Sequence, residues 1–130
     1  MTAAVSIDPF SSATDLLTAL RERRVSSVEL LDLYLARIAR HNPAVNAVVE
    51  PDFERAREAA VAADARRARG EDGALLGLPL TLKESFNVAG LRTTCGAPEW
   101  KDTRVDFDAP ITRKVKAAGG VIMGKTNVPP

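Results

Sequence analysis

Lys83 closes a run in which leucine alternates with other residues, Leu78-Pro79-Leu80-Thr81-Leu82-Lys83. That is the two-residue period of a β-strand. A strand that carries a lysine into the interior strips it of hydration. Desolvation disfavours the ammonium form and lowers the pKa, by up to roughly 3–5 units when burial is complete. A neutral lysine can then serve as a general base near neutral pH, a role closed to arginine, whose guanidinium stays charged. The commoner fate of a strand-end lysine is a side chain in water, because lysine is almost never fully buried unless paired. The residues alone leave both readings open.

Two other constellations invite chemistry and carry less. Cys95 and His41 have the types of a nucleophile and a base, but nothing in the sequence brings them together. A lone cysteine is usually a small packing residue, and His41 sits in the last turn of a helix, where a positive charge suits the dipole. Gly119-Gly120-Val121-Ile122-Met123-Gly124-Lys125-Thr126 satisfies the phosphate-loop pattern, which works only between a preceding strand and a following helix. Here a helix precedes it, its middle is Val-Ile-Met, which prefers an extended buried backbone, and Pro129-Pro130 follow. Nucleotide binding at 119–126 is therefore the weaker alternative, and Lys125 is expected near a loop that supports the active site or in solvent.

The elements that must position these residues read as alternating helix and short apolar strand, an α/β arrangement. Ser12-Ala13-Thr14-Asp15 opens a first helix, with Ser12 accepting from a free amide and Asp15 reaching back. Arg21, Arg23 and Arg24 form its solvated end. Ser26-Ser27-Val28-Glu29 is a second capping box, followed by the stripe Val28, Leu31, Leu35 and Ile38. Asn42-Pro43 is expected to stop that helix, since the residue before proline avoids helical dihedrals. Residues 45–50 read as a short strand. An alanine-rich helix follows from Pro51-Asp52 to about Arg69, with Phe53, Ala56, Ala60 and Ala63 on one face. After the Lys83 strand comes a polar loop at 93–98 and Trp100, expected to pack over it. Asp108 is expected to cap a helix that opens near Pro110 and buries Ile111, Val115 and Ala118. Gly119-Gly120 end it, Val121-Ile122-Met123 form a buried strand, and 124–127 turn away. Residues 1–11 read as a loosely ordered arm with a turn near Pro9.

Composition excludes several classes. The 130 residues are 45% hydrophobic and 27% charged, with a formal net charge of +1. One domain is the prior, and the charge gives no argument for nucleic acid or an anionic membrane. The single cysteine cannot form an internal disulfide, which fits a reducing compartment. The opening residues lack a basic region followed by an apolar core, so no signal peptide is expected there, and no stretch approaches the roughly 18 consecutive apolar residues of a membrane span. A cytoplasmic, soluble protein is expected.

Residues 77–94, Gly77-Leu78-Pro79-Leu80-Thr81-Leu82-Lys83-Glu84-Ser85-Phe86-Asn87-Val88-Ala89-Gly90-Leu91-Arg92-Thr93-Thr94, resemble the early segment of the amidase signature family. Asp108-Ala109-Pro110 followed by residues 116–127, Lys116 to Asn127, resembles its next segment in the same order and spacing. The resemblance implies a mixed central sheet flanked by helices and an amide hydrolase with a Ser–cis-Ser–Lys triad, in which Lys83 aligns with the lysine. It implies a small-molecule amide substrate and no metal or organic cofactor. Ser85 then reads as a support or turn residue, because the family tolerates other residues there.

The same resemblance places both catalytic serines downstream, the first in a Gly/Ser-rich loop that also holds the oxyanion. The sequence ends before such a stretch. It is therefore expected to be the N-terminal portion of one amidase domain, with a helical lead-in over 12–69 and the first strands and lysine segment over 76–127. On its own it is expected to be inactive, with exposed apolar surface that promotes association; a homo-oligomer is left open. Val128-Pro129-Pro130 replaces the Met-Asp-Glu-Phe-like run of the amidotransferase A subunits that modify glutamyl-tRNA, which tilts the reading towards a free-standing amidase. A non-catalytic remnant that binds a partner through its uncovered face is the alternative from a different class.

Overall fold

A computed structural model describes residues 6–129. The expectations for residues 1–5 and Pro130 lie outside the described residues. Among the described residues the α-helices and strands follow in the order α1 (Ala13–Arg21), α2 (Ser27–Val45), β1 (Val48–Pro51), α3 (Phe53–Ala68), β2 (Pro79–Lys83), α4 (Pro110–Ala117) and β3 (Val121–Thr126). The strands form one mixed sheet in the order β1-β3-β2. β1 runs antiparallel to β3 and β2 runs parallel to it, so α4 lies in the crossover between parallel neighbours. This is the α/β class expected from the sequence, with a mixed sheet and helices.

Capping fixes where the helices begin. Ser12 Oγ accepts from the Asp15 amide, although the reciprocal bond from the Asp15 carboxylate is not formed. At α2 both halves of the Ser26/Glu29 capping box are present. Asp64 on α3 adds a further cap that only folding reveals: its carboxylate accepts from the amides of Ser27 and Val28 at 2.7 and 3.1 Å. Two of the free donors at the start of α2 are thus satisfied from a neighbouring helix.

The core lies on both faces of the sheet. Leu31 of α2 and Ala56 and Ala60 of α3 meet Val121 and Met123 on one face. The small alanines let α3 sit close to the strands. On the other face Leu82 and Ile122 pack with Val88, Leu91, Leu80 and Val115. Leu16, Leu20 and Val25 join Leu30 and Leu78 in a third cluster that fastens α1. Gly119 must be glycine for two reasons: its φ is +93°, and a Cβ there would lie 2.7 Å from the Leu76 Cα.

Several boundaries differ from the sequence expectation. Pro43 does not stop α2, which continues to Val45 and ends on Asn46 in the left-handed conformation. So near the C-terminus a proline removes only one helical bond, and Asn42 secures the exit by accepting from the amides of Ala47 and Val48. β1 consequently starts at Val48 rather than Val45. Asp108 does not cap α4. The N-cap is Ala109 with Pro110 at the first position, while Asp108 accepts from the Ala89 amide and the Lys116 ammonium. Ile111 is exposed, and the residue that α4 buries is Thr112, whose hydroxyl donates to the Asn87 carbonyl. Trp100 does not pack over the loop; 54% of its surface is exposed. The turn expected at 124–126 is strand: β3 runs on through Thr126 because it pairs with both β1 and β2.

Candidate functional site

The carboxyl ends of β2 and β3 coincide, with Lys83 paired to Thr126 and Leu82 to Lys125. Side chains alternate along a strand, so Lys83 projects from the face opposite Leu80 and Leu82. Within these residues its side chain is exposed; the strand ends there and nothing described covers it. Its backbone is held firmly. The Lys83 carbonyl accepts from the Phe86 amide at 3.0 Å, and the Glu84 amide donates to the Thr126 carbonyl at 2.8 Å. Ser85 lies in the turn after the strand, as expected.

The buried lysine of the chain is Lys125, with no accessible surface. The expectation that placed Lys125 in solvent is corrected; the expectation of a nearby loop is met. Its ammonium donates to the Arg92 carbonyl and, at 2.8 Å, to the Thr93 hydroxyl. Beside it, Glu84 is 5% exposed and its two oxygens divide three donors. Oε2 accepts from the Thr94 amide at 2.8 Å and the Thr94 hydroxyl at 2.6 Å, and Oε1 accepts from the Cys95 amide at 2.9 Å. Glu50 of β1, 9% exposed, accepts from the Arg92 amide and guanidinium. Glu84, Glu50 and Lys125, from three segments, thus converge on the loop 92–95, where Arg92 adds a second base.

The electrostatics follow from this packing. Burial pushes the Lys125 amine below its ordinary pKa, and the charges of Glu84 and Glu50 oppose this only in part. Burial also pushes the Glu84 carboxyl up. The Thr94 hydroxyl, the Thr94 and Cys95 amides and the Lys125 ammonium together outweigh it, so its pKa lies below the usual carboxylate value. Among the described residues no buried side-chain nitrogen or oxygen lacks a hydrogen-bond partner. A cavity of about 280 Å³ opens beside the network, lined in part by Glu50, Glu84, Arg92, Thr94, Lys101 and Asn127.

The remaining sequence candidates do not assemble. His41 and Cys95 are both exposed, and Cys95 contributes its backbone amide to Glu84 from a left-handed conformation with φ 51°. The phosphate-loop pattern lies on the extended β3, where its amides serve the sheet rather than converge on an anion. Sequence reasoning missed Glu84, Glu50 and Lys125 as a group. The available signal was Lys125 itself: if β3 is extended past Met123, a charge enters a buried strand and requires an acidic partner. Which of the chain's carboxylates answers it is set by the fold. Among the described residues no helix is long and apolar enough to cross a membrane.

Comparison with known proteins gives one answer. The Amidase family model matches residues 29–130. The A subunit of glutamyl-tRNA(Gln) amidotransferase from Azoarcus sp. (strain BH72) is 48% identical over 118 residues, covering 91% of this chain and 24% of that protein. The protein of the same name from Roseiflexus sp. (strain RS-1) is 44% identical over 114 residues, covering 88% and 23%. Among solved structures, the peptide amidase from Stenotrophomonas maltophilia superposes with a TM-score of 0.82 at 34% identity, covering 91% of this chain and 25% of that one. A bacterial aryl acylamidase of the amidase signature family superposes with a TM-score of 0.86 at 27% identity, covering 92% and 26%. The chain thus spans about a quarter of the length of the relatives it matches. A family model over most of the chain, together with the shared fold, means that this chain belongs to the amidase (amidase signature) family.

Proposed function

We propose that the intact protein hydrolyses a carboxylic amide to the acid and ammonia or an amine, with Lys83 as the base. The observation that carries this reading is the position of Lys83. It stands at the shared carboxyl end of the parallel pair β2–β3, the end of an α/β sheet where ligands bind. It is the one lysine of that strand end left open, while Lys125 is consumed by internal bonds. In this reading residues 1–130 form the front of one amidase domain, and the remainder of the family fold supplies two serines and closes over Lys83. The neutral amine takes a proton from the bridging serine, which takes the proton of the nucleophilic serine. The nucleophile's oxygen attacks the amide carbonyl, the leaving nitrogen departs protonated, and water hydrolyses the acyl-enzyme ester to the acid. The substrate class is a small primary or aryl amide, and the protein works in the cytoplasm.

The test is amide turnover by the intact protein with benzamide, acetanilide and L-glutamine as probes. Release of ammonia or aniline is expected, with loss of about a thousandfold or more in Lys83→Ala, the order seen when one member of a catalytic unit is removed. Lys83→Arg is expected to be nearly as damaged, because arginine stays charged. Retained activity in either variant, or no turnover of any probe by the parent, overturns the proposal.

A further inference from the structure

We propose that Glu84 and Lys125 are positioning residues: together they clamp the 92–95 loop onto the carboxyl ends of β2 and β3 and so fix the strand end that carries Lys83, an inference that rests on the amide-hydrolase reading above. The loop presents donors at one end and acceptors at the other. The amides of Thr94 and Cys95 and the Thr94 hydroxyl need an acceptor, which Glu84 provides. The Arg92 carbonyl and the Thr93 hydroxyl receive from Lys125. One acid and one base are therefore required, and neither can replace the other. The two anchors stand at neighbouring strand ends, Lys125 on β3 opposite Leu82 and Glu84 in the turn immediately after Lys83. The Glu84 amide is itself tied to the Thr126 carbonyl. Lys83 is thus flanked on its strand by Leu82, whose side chain is in the core, and by Glu84, whose side chain is locked in the loop.

Stability alone gives little reason to bury this lysine. Apolar residues of similar volume in place of a buried ion pair are often neutral or stabilising. A fully satisfied buried polar network instead fixes one arrangement of the segments it joins. At this strand end one arrangement is what a general base needs, since misplacing a reacting group by about 1 Å costs on the order of a hundredfold in rate. The two anchors reach the chemistry through the backbone: Lys125, in register with Leu82, projects by strand alternation from the face opposite Lys83, and Glu84 follows Lys83 directly in the chain.

The experiment compares the intact parent protein with Lys125→Met, Glu84→Gln and Lys83→Ala. Benzamide, acetanilide or L-glutamine serves as substrate, and amide hydrogen exchange is followed at Thr94 and Cys95. In Lys125→Met and in the isosteric Glu84→Gln, kcat is expected to fall by about ten- to a hundredfold with KM within about twofold, the pattern of a lost transition-state geometry. The two amides are expected to exchange at least about tenfold faster. Parent-like kcat in both variants, with Lys83→Ala inactive, overturns the positioning role. So does faster exchange with no change in kcat, which marks the anchors as purely structural. Turnover retained by Lys83→Ala overturns instead the assignment of Lys83 as the base, in a variant that leaves both anchors untouched, and no turnover of any probe by the parent overturns the amidase reading.

Discussion

Removing the Glu84 carboxylate should be among the most damaging single changes to the stability of this region. Glu84→Ala deletes the acceptor for two backbone amides and one hydroxyl at 2.6–2.9 Å and leaves the buried Lys125 ammonium with Glu50 as its remaining acidic neighbour. A hydrogen bond to a charged group contributes about 1.5–3 kcal/mol, and the attraction of the Glu84 charge for the Lys125 ammonium, which acts without a direct ion pair, adds to the three bonds. These overlap, so the expected loss is about 3–5 kcal/mol rather than their sum. Glu84→Gln keeps the shape and one oxygen. With that oxygen in the place of Oε2, both Thr94 bonds survive, while the new amide group faces the Cys95 amide, donor against donor. A loss of about 1–3 kcal/mol follows. The assay is urea unfolding of the intact protein, with exposed Glu54→Ala as the control, expected within about 0.5 kcal/mol of the parent. The sign of the pH dependence is fixed by the lowered pKa of Glu84. A carboxyl depressed in the folded state stabilises above its unfolded pKa of about 4.3, and that contribution is lost as pH falls through the folded value. Glu84→Gln should therefore lose less stability than the parent between neutral and acidic pH. Equal acid sensitivity in the two, or a Glu84→Ala loss no larger than the Glu54→Ala control, would refute the reasoning.

Two further outcomes follow from the packing. Gly124→Ala places a Cβ 2.6 Å from the Glu50 carbonyl and 3.0 Å from the Pro51 Cα, so β1 must move off β3; a destabilisation of about 2–4 kcal/mol is expected from overpacking and backbone strain, and a parent-like urea midpoint would contradict the β1–β3 register. Asp64→Ala removes the acceptor for the Ser27 and Val28 amides and is expected to cost about 1–2 kcal/mol, read as a lower unfolding midpoint with unchanged urea dependence.

The helices show how far local rules reach. The Ser26/Glu29 box and the Ala56, Ala60, Ala63 face are visible in the sequence because a cap and a 3.6-residue stripe involve residues within one or two turns. Pro43 shows where such rules stop. The pre-proline preference is a modest local bias, and the bonds from Asn42 to the start of β1 outweigh it. Asp108 is a good cap by type, yet its carboxylate is taken by the Ala89 amide, which approaches from elsewhere in the fold, and by Lys116 in the last turn of α4 itself.

By itself the sequence determined the α/β class, the strand that ends in Lys83, the disqualification of the phosphate-loop pattern and the resemblance that led to the amidase family. Each rests on order and spacing along the chain. Tertiary structure alone decided which lysine is buried. Lys83 and Lys125 both lie near the carboxyl ends of apolar strands, but β3 lies between β1 and β2, so Lys125 falls where Glu84, Glu50 and the 92–95 loop meet, while Lys83 leaves the edge strand uncovered. Desolvation and pairing depend on what surrounds a charge in space, and those neighbours come from segments thirty or more positions away in sequence.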